Sequence, residues 1–278
     1  MNQNIDRVWF RAISEHIYSQ SGIRLHGDNR TIYERRVQAH AIEESVPDLR
    51  DYYLRLRYHP FARQITQSLI EKITTGETYF YRESRQLDFF VETLMPEIMH
   101  TCRNAGRPAQ LWNAGCSTGE EPYTVAMMLL DHGLSSDDIN VLGGDINYHA
   151  LDVARKRIYR ESSFRTLPVD WADHYFTPLP DGRQQLIDRV ASLVELTWMN
   201  ITDFDMLNLL PQPDVIFCRN VLIYFDRKAK TKAIDNFYRC LRPGGLLLLG
   251  HAESLLNLEH RFRIEQTNGE IVYRKPLS

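Results

Sequence analysis

The sequence lacks the features that would place it in a membrane, in a secreted disulfide scaffold or on a nucleic acid. Its apolar runs, such as Leu246–Leu249, fall far short of the roughly 20 residues that a membrane-spanning helix needs. Residues 1–6 carry neither the basic nor the apolar region of a signal peptide. The four cysteines form no CxxC pair and no metal-ligand spacing with histidine, and the formal net charge is only -3. We therefore expect a cytoplasmic, metal-free protein that does not insert into membranes and whose main partner is not nucleic acid.

Residues 1–72 are predicted to form a small all-α domain of three or four short helices. Trp9, Ile13 and Ile17 recur at helical spacing, and the alternation of apolar and polar residues that marks a strand is scarce. The positive charge of this region comes mainly from arginines, namely Arg30, Arg35, Arg36, Arg50, Arg55, Arg57 and Arg63. These arginines form either an ordinary solvated helix surface or a surface that docks a partner, and the sequence leaves both interpretations open.

From about Phe89 onward, short apolar strands alternate with helices, which predicts an α/β fold with a mainly parallel sheet. The predicted strands are Gln110–Asn113, Asn140–Gly144, Leu193–Met199, Asp214–Cys218 and Leu246–Gly250. The predicted helices are Thr124–Asp131, Tyr148–Arg157 and Arg227–Cys240. At the end of the chain, Asn268-Gly269 between two strand-like segments predicts an antiparallel hairpin. A parallel sheet that ends in such a hairpin is typical of the Rossmann-like fold of methyltransferases.

Residues 163–195 interrupt this alternation, because no helix is predicted there before the third strand. The segment instead contains Pro168, Pro178, Pro180 and Asp181-Gly182. This composition predicts a small inserted β subdomain. Since loops grafted on a scaffold often carry specificity, the insert is a candidate partner-binding site.

The stretch Trp112–Tyr123 is the strongest candidate for a ligand site. Gly115 lies between a strand end and a helix start, where a small residue lets a ligand approach the backbone closely. Glu120 and Glu121 stand where a dinucleotide-binding loop would receive a pyrophosphate, so a nucleoside with hydroxyls and positive charge fits better than one with phosphate. The spacing from Gly115 to Gly119 is not GxGxxG, which disfavours a dinucleotide oxidoreductase. A capping box would also explain both glutamates.

Three further strand ends carry polar residues. Asp145 stands a little more than 20 residues beyond the glycine loop, a position suited to holding ribose hydroxyls. Asn200 and Asn220 can contact the adenine edge or the amino-acid tail of a ligand. Each has a plainer explanation, since Asp145 or Asn147 can cap the following helix and asparagines often form turns. The shared polarity of all these strand ends favours binding.

Two aromatic segments complete the candidate site. Thr74–Glu83 contains three consecutive aromatic residues followed by Arg82, which suits a pocket of low dielectric that holds a carboxylate. The alternative is an interdomain plug with Arg82 in a surface ion pair. Tyr224 lies close in sequence to the fourth strand's end and can reach the site, although composition alone suggests core packing.

These segments resemble the chemotaxis receptor methyltransferase (CheR) family, and the resemblance covers nearly the whole chain. The matching segments are Thr74–Arg82, Trp112–Tyr123 and Cys218–Phe225, with weaker support from Arg242–Gly245 and Gly250–Ser254. The resemblance implies a protein-glutamate O-methyltransferase that uses S-adenosylmethionine, releases S-adenosylhomocysteine and forms glutamyl methyl esters on chemoreceptors. It implies domains at 1–72 (receptor docking), 73–88 (a linker contributing to the active site) and 89–278 (the S-adenosylmethionine-binding domain with the insert).

The family's motifs also carry residue roles onto this chain. Together with Gly115, the expected cofactor contacts are Thr78, Arg82, Glu121, Asp145, Asn200, Ile201, Asn220 and Val221. Arg82 and Tyr224 are expected nearest the reacting groups, as catalytic residues. Within the glycine loop, Glu120 is then expected to cap the helix, and Glu121 to contact the cofactor. The chain departs from some relatives at Gly76, where asparagine often stands, and at Ala252, where serine is frequent.

The resemblance also names partners and leaves alternatives. The expected partners are the cytoplasmic helices of chemoreceptors, with the enzyme a monomer recruited to membrane receptor clusters. Some relatives also hold a peptide from the receptor's C-terminus on the inserted subdomain, and the sequence does not decide this for residues 163–195. The alternatives are a methyltransferase for another carboxylate and a non-catalytic sensor of S-adenosylmethionine. The presence of both Arg82 and Tyr224 argues against the sensor.

Overall fold

The computed structural model describes residues 2–25, 30–74 and 76–277, and the chain divides into two compact units. The first comprises Met1–Thr75 together with Tyr224–Lys230, and the second comprises Gly76–Ile223 and Thr231–Ser278. Within the described ranges, no helix is long and apolar enough to cross a membrane.

Four helices form the described part of the first unit, as the periodicity predicts. They are α1 (Asn2–Ser21), α2 (Arg30–Glu43), α3 (Leu49–Tyr58) and α4 (Ala62–Ile73). Ile13 and Ile17 are fully buried, so the apolar spacing of α1 does mark its core face. Asp48 begins α3 as its N-cap, because its carboxylate accepts from the amides of Arg50 and Asp51.

A short segment from much later in the chain completes the first unit. Phe225 forms an antiparallel bridge with Ile23, and the hydroxyl of Tyr18 donates to Asp226 Oδ1 at 3.0 Å. Arg24 Nε lies 3.3 Å from the other carboxylate oxygen of Asp226. Residues 224–230 therefore belong to the helical unit although they follow the fourth strand of the sheet.

A seven-stranded sheet with the order β6-β2-β1-β7-β8-β10-β9 forms the centre of the second unit. Strands β1, β2, β6, β7 and β8 are parallel, and β10 is antiparallel to both β8 and β9. The strands are β1 (Ala109–Ala114), β2 (Ile139–Asp145), β6 (Val194–Trp198), β7 (Val215–Cys218), β8 (Leu246–Leu249), β9 (Arg263–Thr267) and β10 (Glu270–Arg274). All five predicted parallel strands are thus confirmed, and the Rossmann-like methyltransferase architecture with them.

Helices flank the sheet. They are α5 (Ser84–Phe89), α6 (Met95–Asn104), α7 (Glu120–Asp131), α8 (Tyr148–Lys156), α11 (Phe204–Leu207) and α12 (Arg227–Cys240), with a π-helical segment at Phe90–Leu94. The buried core includes Phe90, whose ring packs edge-on against that of Phe217 on β7, with 4.8 Å between the ring centroids. Strand β7 is buried along its whole length, as expected for a parallel strand covered on both faces.

The inserted subdomain is a three-stranded antiparallel sheet with the order β3-β5-β4. Its strands are β3 (Ile158–Tyr159), β4 (Phe176–Pro178) and β5 (Gln184–Leu186), accompanied by α9 (Val169–Tyr175) and α10 (Asp188–Ala191). A small antiparallel sheet is present as predicted, but its first strand, β3, lies before the predicted range 163–195, and the expectation that the insert holds no helix is wrong. Pro168 is the N-cap residue of α9, so this proline begins a helix where a break was expected.

Candidate active site

The carboxyl ends of β6, β2, β1 and β7 lie side by side at one edge of the sheet. The chain runs outward from β1 to β2 and β6 on one side and to β7 and β8 on the other. The switch in strand order therefore falls between β1 and β7, which is where open α/β sheets bind ligands. The residues that sequence reasoning selected at these ends, Gly115, Asp145, Asn200 and Asn220, are all at this edge.

The loop after β1 is a tight backbone cradle. Gly115 (φ 90°), Ser117 (φ 49°) and Gly119 (φ 93°) all have left-handed backbones. The amide of Gly115 donates to Gly144 O at 2.7 Å, and the amide of Ser117 donates to Asp145 Oδ2 at 2.7 Å. A Cβ atom on Gly115 would lie only 2.3 Å from Val221 Cγ2. Glycine is therefore required at this position, and the loop contacts the chain that follows β7.

Asp145 lies at the end of β2 with its carboxylate held by backbone amides. Its Oδ1 accepts from the amide of Asn147 at 2.8 Å, in addition to the bond from Ser117. Burial raises the pKa of Asp145, and these amide hydrogen bonds oppose the rise. Asn147 is the residue that caps α8, through the amide of Ala150, so the capping explanation for Asp145 is wrong. With the amide of Ile146, three backbone amides bond this carboxylate, which has about four acceptor positions and so can still accept from a ligand hydroxyl.

The two consecutive glutamates have different partners, and neither forms a capping box. Gly119 is the N-cap of α7 and makes no side-chain cap bond. Glu120 is buried and accepts from Thr118 Oγ1 at 2.6 Å and from Ser163 Oγ at 3.0 Å. Burial raises the pKa of Glu120. The expectation that Glu120 caps the helix is therefore wrong, because its carboxylate joins the loop to the insert.

Glu121 belongs to a buried network that sequence reasoning did not find. Its Oε1 accepts from Asn113 Nδ2 at 2.9 Å, and its Oε2 accepts from Arg219 Nη1 at 2.9 Å. Arg219 Nη2 also donates to the carbonyl of Arg82 at 2.6 Å and to Glu83 Oε2 at 3.2 Å. The sequence did contain a signal for this network, because Arg219 directly follows the apolar strand β7 and a buried charge needs a partner.

Two buried polar atoms of this network have no partner within the described part of the chain. They are the Arg219 Nε donor and the Asn113 Oδ1 acceptor. Burial raises the pKa of Glu83, but the charge of Arg219 and hydrogen bonds from Asn220 and His251 outweigh it, so the pKa lies below its ordinary value. The centre of the site thus combines two carboxylates bonded to one buried guanidinium with buried polar atoms that remain able to bind.

Backbone hydrogen bonds and two aromatic rings, those of Phe80 and Tyr81, hold the segment that contains Arg82 within the second unit. Phe80 is fully buried, and its amide donates to Ser163 O at 2.8 Å. Its ring therefore packs in the core and does not line a pocket. Arg82 is half-buried, lies over the ring of Tyr79 at 5.5 Å and donates to Glu77 O at 2.7 Å. Thr78 is also half-buried, while Thr75 of the same motif lies outside the described residues.

Asn220 and Val221 are held by a second carboxylate that was not predicted. Asn220 has a left-handed backbone (φ 59°), and its amide donates to Glu253 Oε2 at 2.7 Å. The same carboxylate accepts from the amides of Gly250 at 2.9 Å and Ile223 at 3.2 Å. Burial raises the pKa of Glu253, against the effect of these amides. Glu253 therefore shapes the loop that presents Asn220 and Val221.

Asn200 and Ile201 follow β6 in a tight turn. Asn200 Oδ1 accepts from the amide of Thr202 at 3.0 Å and from its hydroxyl at 2.8 Å. The carbonyl of Ile201 accepts from Asn236 Nδ2 at 3.0 Å. The plainer explanation of Asn200 as a turn former is thus correct, and its contact with a cofactor stays a prediction. Tyr224 ends a short 3-10 turn and falls in the first unit, so its catalytic role also stays a prediction.

Comparison with known proteins matches both units. Residues 9–74 match the family described as CheR methyltransferase, all-alpha domain, and residues 76–271 match CheR methyltransferase, SAM binding domain. Chemotaxis protein methyltransferase 2 of Vibrio cholerae is 33% identical over 269 residues, which cover 96% of this chain and 92% of the relative. Chemotaxis protein methyltransferase of Escherichia coli is 34% identical over 272 residues, covering 95% and 89%. That of Borreliella burgdorferi is 31% identical over 267 residues, covering 94% of each.

Proposed function

This chain belongs to the CheR methyltransferase family, and we propose that it transfers the methyl group of S-adenosylmethionine to glutamate side chains of chemoreceptors. The products are glutamate methyl esters and S-adenosylhomocysteine. The relatives' shared name, chemotaxis protein methyltransferase, supports a role in chemotaxis. The observation that carries the proposal is the cradle at the strand switch point, formed by Gly115, Asp145 and the carboxylate of Glu121.

The residues present fit a nucleoside sulfonium. Asp145 offers acceptors to ribose hydroxyls, and the lack of a side chain at Gly115 lets the loop pack against Val221, another expected cofactor contact. The carboxylates of Glu83 and Glu121 share one buried guanidinium, that of Arg219, which leaves the centre acidic and suited to a cationic ligand. Thr78, Asn200, Ile201, Asn220 and Val221 are the other residues that we expect to hold it.

The chemistry needs little acid–base assistance from the protein. When bound, S-adenosylmethionine supplies a methyl carbon that a glutamate oxygen attacks while the carbon–sulfur bond breaks and its electron pair stays on sulfur. Glutamate has an ordinary pKa near 4.3, so the attacking carboxylate is already ionised at neutral pH. Charge shrinks toward the transition state, so a preorganised site that excludes water favours the reaction. We assign Arg82 to orienting the substrate carboxylate and Tyr224 to donating a hydrogen bond near it.

Receptor partners follow from the same proposal. We expect the helical domain predicted at residues 1–72 to contact the receptor's cytoplasmic helices. The insert offers edge strands β3 and β4, and an edge strand can accept an added strand from a receptor's C-terminal peptide. The linker assignment for residues 73–88 rests on the position of Arg82 within it.

Radiolabelled methyl transfer to receptor-containing membranes tests the proposal. We expect label on receptor that base releases as volatile methanol, as methyl esters require. Arg82→Ala and Tyr224→Phe should each lower turnover on the order of 100-fold while the fold stays intact. Arg85→Ala is the matched control, since Arg85 is exposed and bonds the C-terminal hairpin at Asn268.

Three results would contradict parts of this proposal. Unchanged turnover in both variants would refute the roles of Arg82 and Tyr224. Label on carboxylates of proteins other than receptors would favour the broader methyltransferase alternative. Binding of S-adenosylmethionine without label on any receptor preparation would favour the sensor.

A further inference from the structure

Arg219 is an arginine whose side chain is only 1% exposed, directly after strand β7. Its guanidinium joins three parts of the chain that are distant in sequence. Nη1 bonds Glu121 on α7, while Nη2 bonds Glu83 at the start of α5 and the carbonyl of Arg82. A buried arginine with a planar fork of donors fixes the relative orientation of the groups that it bonds.

The backbone on either side of Arg82 shows why such a contact is needed. Tyr81 (φ 61°) and Glu83 (φ 51°) both have left-handed backbones, which residues with a side chain adopt only at an energetic cost. Such strained positions persist only when surrounding contacts hold them. The bond of 2.6 Å from Arg219 to the carbonyl of Arg82 acts on the residue between them.

We infer that Arg219 is a positioning residue for methyl transfer. Its guanidinium fixes the positions of Arg82 and Glu121 relative to each other at the strand switch point. The inference rests on the proposed function and extends it to a residue that does not itself contact the substrate. Loss of the guanidinium would also leave the carboxylates of Glu83 and Glu121 close together without their shared counter-charge. We expect the loss of the bond to Arg82 and the loss of the counter-charge to change the positions of Arg82 and Glu121. We expect them to have a smaller effect on binding of the cofactor's nucleoside.

Arg219→Gln and Arg219→Lys test this inference beside a matched control, Arg107→Gln. Arg107 is partly buried and, like Arg219, pairs with a carboxylate, since it bonds Asp214 through two contacts of 2.7 Å. It stands before β1, at the opposite ends of the strands. We expect Arg219→Gln to lower kcat per S-adenosylhomocysteine-binding site on the order of 100-fold, with a smaller change in S-adenosylhomocysteine affinity. Arg219→Lys keeps the charge without the fork and should be intermediate. Arg107→Gln should lower the melting temperature and leave kcat per site unchanged.

Hydrogen exchange of the chain saturated with S-adenosylhomocysteine gives a second readout that needs no methyl acceptor. Amides of residues 76–84 should exchange faster in Arg219→Gln, by roughly tenfold or more, and not in Arg107→Gln. If Arg219→Gln does not fold, Arg219→Lys supplies both readouts. Turnover per site within about twofold of the wild type, or equal exchange in the two glutamine variants, would overturn the inference. A wild-type chain that labels no receptor would contradict the proposed function, while the exchange experiment would still decide the role of Arg219.

Discussion

Carboxylates of the same chemical type have different roles around this site because their donors differ. Glu83 is bound by Arg219 and has a pKa below its ordinary value. Glu120 is surrounded by neutral hydroxyls, those of Thr118 and Ser163, and burial raises its pKa. An ionised carboxylate without a cationic partner is costly to bury. Glu120 is therefore a site where the folded protein carries a cost that a neutral side chain would remove.

Replacing Glu120 with glutamine is expected to increase the free energy of unfolding at neutral pH, by about 1.4 kcal/mol for each unit by which the pKa is raised. The hydroxyls of Thr118 and Ser163 can rotate to bond an amide. Above the folded pKa, both states are ionised and the folded state carries the cost of burial. As pH falls through the raised folded pKa, the folded protein binds the proton first, and the cost disappears. The gain from glutamine should therefore shrink toward about pH 4.5.

Denaturant unfolding at neutral and acidic pH measures this difference. Glu195→Gln is the control, because Glu195 lies on the exposed face of β6. Its effect should be small at both pH values. A loss of stability in Glu120→Gln that is equal at both would contradict the assignment of Glu120 as an uncompensated buried charge.

Among structural elements, the loop from β1 to α7 depends most on backbone geometry. Gly115 has φ 90° and lies against Val221, where an added Cβ would be 2.3 Å from Cγ2. Gly182, in the turn of the insert, has a similar φ of 81°, but an added Cβ there meets nothing within 4 Å. Alanine variants at the two positions therefore distinguish the cost of the left-handed backbone from the cost of the contact with Val221.

Gly115→Ala is expected to lower stability more than Gly182→Ala, which should cost about 1 kcal/mol through φ alone. The clash with Val221 should also weaken binding of S-adenosylhomocysteine, on the order of tenfold, because the cradle must open. Adding Val221→Ala to Gly115→Ala should recover part of the lost stability, with a coupling of about 0.5–3 kcal/mol. Thermal unfolding and calorimetric titration of Gly115→Ala, Gly182→Ala, Val221→Ala and the double variant test this. Equal losses for the two glycine variants would show that the contact has no effect.

Local sequence patterns predict the strands and the hairpin but not the long-range contacts of the site. The parallel strands and the hairpin follow from local patterns, and Asn268 and Gly269 do have the left-handed backbones (φ 55° and 83°) that their pairing predicts. Arg219 and Glu253 could not be assigned in this way. Arg219 bonds Glu121 across 98 positions and Glu83 across 136, and only the topology of the sheet brings such residues together. The role of Glu120 was missed for the same reason, since Ser163 is 43 positions away.

At the scale of the whole molecule, the arginines predicted as a basic face of the first unit fall into two groups. Some already have partners there: Arg30 pairs with Glu34, Arg55 pairs with Glu44, and Arg36 donates to the carbonyl of Ile73. The others, Arg35, Arg50, Arg57 and Arg63, are exposed. The exposed side chains of Leu54, Tyr58 and Phe61 are close in sequence to the last three of these arginines. Arginine and aromatic residues together are typical of protein interfaces.

We expect this second group to attract acidic side chains on the receptor's cytoplasmic helices, so Arg57→Glu and Arg63→Glu should raise KM for receptor. The expected rise is roughly three- to tenfold for each variant, because reversal removes an exposed ion pair and adds repulsion. Raising ionic strength should increase the wild-type KM for receptor in the same direction. KM for S-adenosylmethionine should stay constant in both experiments, since its site belongs to the other unit. Arg263→Glu, at an exposed position of β9, is the control. A KM for receptor that responds neither to salt nor to these reversals would leave the aromatic side chains, without the charges, as the basis of receptor docking.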